Sequence, residues 1–123
     1  MIKSVLGQQL IESVRKHAAR SPRTVYLGPL DEFGNTECVY VSHGQPSCIV
    51  GHAMWDAGLI DAGFEDDGKN GSGIDTLAEN WPPLASVSDD EAEWLLTVQG
   101  EQDNGMPWQV AVDEADEKVG AYV

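Results

Sequence analysis

The stretch "SCIVGHAMWDAG", residues 47–58, constrains the fold most, because as a helix it must be enclosed on most of its circumference. At ~100° per residue, Ile49, Val50, Ala53, Met54 and Ala57 share one continuous arc, a core face. Ser47 reads as the N-cap of a helix running from Cys48 to about Ala57, with Gly58 as its stop. The other side is not a polar surface: Trp55 lies there with Gly51 and Gly58. The two glycines predict a shallow seat where another element approaches closely, with Trp55 covering the gap. His52 and Asp56 fall at one margin.

The partners of such a helix must come from the rest of the chain. Ile2, Leu6, Leu10 and Val14 recur every four positions, widened by Val5 and Ile11, and predict a basic N-terminal helix over 1–21 that Pro22 ends. "RTVYL" and "ECVYVS" are β-branched and aromatic runs around a turn-rich segment, predicting an antiparallel hairpin over 24–42. Residues 65–73 form an acidic Gly-rich loop, followed by a short helix, "IDTLAENW", that Pro82 and Pro83 stop. "SDDE" at 88–91 is a capping box, with three acids suited to the positive end of a helix dipole. It opens a C-terminal helical pair over 88–120, the second member starting at Pro107 and burying Trp108, Val112, Ala115 and Val119. A chain of 123 residues with this pattern is a single domain, mainly helical α+β, with about four to five helices and one small hairpin.

Charge narrows the function. The net charge is −14, but it is polarised. Residues 1–30 carry Lys3, Arg15, Lys16, Arg20 and Arg23 against Glu12 alone, while the remainder carries Lys69 and Lys118 against twenty acids. So acidic a body repels phosphates, and direct nucleic-acid binding is disfavoured. Two readings follow: solubility with internal pairing of the basic helix against the acidic body, or an acidic surface that recognises a basic protein or imitates DNA. No apolar run reaches the ~18 residues of a membrane span, and the start turns polar too early for a secretory signal. Membrane association is therefore not expected, and the expected location is the cytoplasm. Two cysteines ten positions apart make no disulfide framework.

Three chemical sites compete with plain packing. Cys38, His43, Cys48 and His52 are all zinc-ligand types, but their spacing fits no common finger, and Cys38 and His43 would face opposite ways on a regular strand. Cys48, His52 and Asp56, one turn apart in succession, offer a thiol, a base and an orienting carboxylate. Side chains in one row on one helix do not converge on a substrate, and no oxyanion-hole motif accompanies them. Asn70, Ser72, Gly73 and Glu79 occupy positions three, five, six and twelve of a calcium loop, yet Gly68 stands where the first aspartate belongs and Asp75 where an apolar residue does. Packing is the expectation for the first two and an acidic, flexible surface loop for the third, so neither a cofactor nor a metal is assigned.

"CVYVSHGQPSCIVGHAMWDAG" and "EWLLTVQGEQDNGMPWQVAVDEAD" resemble small uncharacterised accessory proteins of actinobacterial bacteriophages, over the middle and C-terminal thirds of the chain. The resemblance implies an accessory protein acting in the cytoplasm of an infected cell and carries no activity to transfer. The expectation is a non-enzymatic protein that binds a host or phage protein of basic character. The candidate contacts are Asp89, Asp90, Glu91 and Glu93 on one helix and Asp113, Glu114 and Glu117 on the last. The alternatives are a small zinc-binding domain and a DNA-mimic inhibitor. Trp94 and Trp108 face either the core or a two-fold partner in a homodimer.

Overall fold

The structure, a computed structural model, describes residues 3–28, 33 and 39–120. They form a mainly helical α+β domain. Its five helices are α1 (Val5–Arg20), α2 (Ile49–Asp56), α3 (Ile74–Asn80), α4 (Asp89–Asp103) and α5 (Trp108–Lys118). One antiparallel ribbon pairs β1 (Val41–Ser42) with β2 (Gln45–Pro46). None of the helices among the described residues is long and apolar enough to cross a membrane.

Helix α4 is the hub, touching α1, α2, α3 and α5. Its Trp94, Leu95 and Val98 are fully buried, against Leu10, Val14, Ile49, Val50, Met54, Ala111 and Ala115 in one core. The same helix buries three polar side chains, and each meets the start of a different helix. The first N–H groups of a helix have no partner within it, so a buried helix start needs an acceptor from elsewhere. Gln102 Oε1 accepts from Ile49 N–H at the start of α2 (2.8 Å) and from the Trp108 indole (3.1 Å). Gln99 Oε1 accepts from Ile74 N–H at the start of α3 (3.0 Å), where the N-cap, Gly73, has no side chain to offer.

Glu91 serves two helices. The expected capping box is present: Ser88 Oγ accepts from Glu91 N–H (3.2 Å) and Glu91 Oε1 accepts from Ser88 N–H (2.9 Å). The same carboxylate reaches the start of α1, accepting from Ser4 N–H (3.0 Å), Ser4 Oγ (2.7 Å) and Gln8 Nε2 (2.8 Å). A Cβ on Gly7 would overlap this carboxylate, so Glu91 seats against the start of α1 where the chain carries no side chain. Burial pushes the Glu91 carboxyl pKa up, but the bonds from Ser88, Gln8 and Ser4 outweigh it and hold the group below its ordinary value.

The central helix follows its sequence pattern. Ile49, Val50, Ala53 and Met54 are fully buried. The seat is Gly51, on which a Cβ would overlap the Tyr40 carbonyl oxygen and lie 2.8 Å from Tyr40 Cα. Gly58 makes no such approach and serves as the stop, with φ +74°. The N-cap is Cys48 rather than Ser47, its Sγ accepting from Gly51 N–H at 3.3 Å. Ser47 instead pairs its hydroxyl with Tyr26 Oη (2.6 Å).

Three expectations change. Residues 24–28 form no strand, and the ribbon lies at 41–46 instead of 24–42, of which 29–32 and 34–38 fall outside the described residues. A two-residue connection fixes it: His43 and Gly44 both have positive φ (54° and 74°), as a primed hairpin turn needs. Their N–H groups both donate to Glu65, at 2.9 Å each. Most of segment 65–73 is not loop but lies in two 3₁₀ turns, Ala62–Asp66 and Gly68–Gly71. Finally, Val5 is 89% exposed and does not extend the apolar stripe of α1.

Candidate functional site

α3 and α4 run antiparallel: Ile74 meets Gln99 at one end, and the turn Pro82–Leu84 returns the chain to Ser88 at the other. Between them lies a groove of about 370 Å³. Its floor is Ala78, Ala85, Val87, Ala92 and Leu96, and its rim is Asp75 and Glu79 from α3 with Asp89 and Glu93 from α4. All four rim acids are exposed. The described ion pairs are Arg15–Asp116, His17–Asp56, Lys69–Asp67 and Lys118–Glu101, so no described cation neutralises the rim.

Each rim pair is spaced i, i+4 on its helix, where like charges destabilise by about 0.2–0.5 kcal/mol. Asp75 and Asp89 stand in first turns, where the helix dipole offsets this cost. Glu79 stands in the last turn of α3, where the dipole adds to it. The fold therefore accounts for two of the four acids and not for the other two.

Of the interaction candidates read from sequence, Asp89, Asp90 and Glu93 are exposed on α4, and Asp89 and Glu93 reach the groove. Glu91 is the correction. It is 0% exposed and spends its carboxylate on two helix starts, so it offers no contact surface. Asp113, Glu114 and Glu117 lie on α5, away from the groove lining; Asp113 accepts from Gln109 Nε2 (3.0 Å), and Glu114 is half-buried. In sequence Asp75 and Glu79 enter only the comparison with a calcium loop and not the contact candidates, because on a short helix they do not show which wall they face.

Among the described residues, Arg15 is the arginine of α1 that pairs with the acidic body. Arg15 forms a bidentate pair with Asp116 (2.9 and 2.6 Å) and lies over the Trp94 ring at 5.0 Å, while the Trp94 indole donates to the same carboxylate (2.9 Å). Burial raises the Asp116 pKa, but Arg15 and Trp94 outweigh it and hold the carboxyl below its ordinary value. Trp94 and Trp108 are 0% and 7% exposed and lie in the core cluster.

Among the described residues, the members of the Cys/His set are not brought together as a metal-binding group. His43 is exposed on its turn, the Cys48 sulfur is fully buried as a helix cap, and the His52 ring lies 4.8 Å from His17 and edge-on to Trp108 at 5.7 Å. Cys38 lies outside the described residues. Among the described residues no three His, Cys, Asp or Glu side chains form a group that could hold a metal ion. Asn70, third in the calcium-loop pattern, is buried, and its side chain takes both the N–H and the carbonyl of Val41 (2.9 Å each), a structural role in holding the ribbon.

Asp56 orients His17, not His52: His17 Nε2 lies 2.6 Å and Ser13 Oγ 3.1 Å from Asp56 Oδ2. His17 was hidden in sequence by its place in an amphipathic helix. Ser13 donates to the carboxylate and not to the imidazole, so the set lacks the nucleophile-to-base bond of acyl transfer. His52 is held below its ordinary pKa, first by burial and then by the neighbouring His17, with Asp56 opposing.

Compared with protein families, curated proteins and solved structures, this chain matches none of them.

Proposed function

We propose that this is a non-enzymatic accessory protein of the phage type that acts in the cytoplasm by binding a basic host or phage protein. The contact site in this reading is the acidic groove between α3 and α4. The observation that carries it is four exposed carboxylates around an apolar floor, unpaired by any described cation and kept in like-charged i, i+4 pairs. Charge that lowers helix stability and receives no internal compensation is understandable where a partner brings the opposite charge. The floor bears on the DNA-mimic alternative as well. Apolar side chains between the acid rows have no counterpart between phosphates, and they favour a protein segment as ligand.

The test is capture from an actinobacterial lysate on immobilised protein, with the variant Asp75→Asn/Glu79→Gln/Asp89→Asn/Glu93→Gln alongside. A saturable basic protein retained at moderate salt by the native chain and lost by the variant is the expected result. The same bound proteins on both columns would refute the reading.

A further inference from the structure

The groove also specifies the form of its ligand. Resting on the protein-binding reading above, we infer that its occupant is an amphipathic basic α-helix of a partner protein. Such a helix would lay two apolar side chains, one turn apart, along the Ala78–Ala92–Leu96 floor and present Lys or Arg to both rims.

The backbone argument comes first. An extended peptide adds to a protein through free main-chain donors and acceptors. Here both walls are helices and offer no strand edge, and three of the N–H groups at their starts are taken: Ile74 N–H by Gln99, Glu91 N–H by Ser88 and Ala92 N–H by the Ser88 carbonyl. A ligand in this groove must satisfy its own backbone, and a helix does so.

Shape follows. Two antiparallel helices with alanines between them leave the seat that a third helix fills in a bundle, where small residues permit close approach. Leu96 and Ala78 are half-buried and already pack on the core, so a ligand side chain placed there extends the hydrophobic cluster instead of starting one. Charge gives the pattern. Asp75 and Glu79 on one wall, like Asp89 and Glu93 on the other, are separated by about 6 Å along their helix axes, the rise of four residues. A ligand helix with cations four apart on each flank of its apolar pair matches both rows, which a helix charged on one side only does not.

The probe is a capped lysine–leucine–alanine helix with one i, i+4 leucine pair and lysines on both flanks, titrated calorimetrically into the whole chain. The comparisons are the same peptide with glutamine for leucine, a scrambled peptide of equal composition, and oligolysine of equal charge. One-to-one saturable binding of the parent is expected, weakened at least about tenfold in each of the three comparisons and in the four-acid variant. A melting curve checks that the variant is folded.

Oligolysine or the scrambled peptide binding as tightly as the parent would overturn the helical occupant, as would undiminished binding to the variant or no saturable binding at low salt. A dimer of this chain that the variant abolishes in sedimentation would assign the groove to a second copy and overturn it too. Failure of the helix probe while the variant still loses a captured protein removes only this inference. Equal capture by native chain and variant removes the protein-binding reading itself.

Discussion

Replacing Glu91 tests the architecture at its most connected point. The carboxylate accepts four hydrogen bonds, from Ser88 N–H, Ser4 N–H, Ser4 Oγ and Gln8 Nε2. A bond to a charged group contributes about 1.5–3 kcal/mol, but bonds sharing one acceptor are not additive. The two helix starts bound the loss from below at ~1 kcal/mol each, and disruption of a buried charged network bounds it from above at about 5 kcal/mol. Glu91→Ala is therefore expected to cost about 3–5 kcal/mol, a large part of the ~5–15 kcal/mol a domain possesses. Glu91→Gln keeps the shape but turns an amide NH₂ towards donors, and is expected to cost about 2–3 kcal/mol.

Urea denaturation at pH 7 measures both. pH supplies a second reading: the folded-state pKa is depressed below 4.5, so the carboxylate's stabilisation is present above that value and is lost as pH falls through the folded pKa. Glu91→Gln should remove this part of the acid sensitivity. A loss under about 1 kcal/mol for Glu91→Ala, or no coupling between Glu91 and Gln8 in a double-mutant cycle, would refute the shared cap.

Two further substitutions probe the interior. Gly51→Ala places a Cβ against the Tyr40 backbone, which cannot rotate away, and should cost about 2–4 kcal/mol by denaturant titration; a neutral result would mean that the seat is loose. His52 has a folded pKa depressed below 6.5, so the unfolded chain binds more protons and stability falls as pH drops from 6.5 towards the folded value. Melting temperatures between pH 7 and 5 should decline in the native chain and decline less in His52→Phe, and equal slopes would contradict the burial of that imidazole.

What could be read from the chain divides by sequence distance. The capping box was legible because Ser88 and Glu91 are three positions apart, and the α2 core face because its period is local. That Glu91 also caps α1 was not legible, since Ser4 is 87 positions away and a capping-box glutamate looks the same with or without that second duty. Gln99 and Gln102 were missed for a related reason: an amide on a helix reads as surface until another helix start is known to lie against it. The hairpin was misplaced because β-propensity in "RTVYL" outweighed a better signal, the His43–Gly44 pair, whose positive φ values set the ribbon. The α4 half of the groove rim was legible as an acidic cluster. Its α3 half became a site only when Ile74 docked on Gln99.

The most direct test of the claim that recognition lies in the α3–α4 groove is an amide chemical-shift map of the labelled chain titrated with the cationic helix probe. Shifts concentrated at 74–80 and 85–97, with Asp113, Glu114 and Glu117 unmoved, are the predicted result. Shifts spread over the acidic surface in proportion to charge, reaching 61–67 and the α5 face as strongly as the groove, would contradict it.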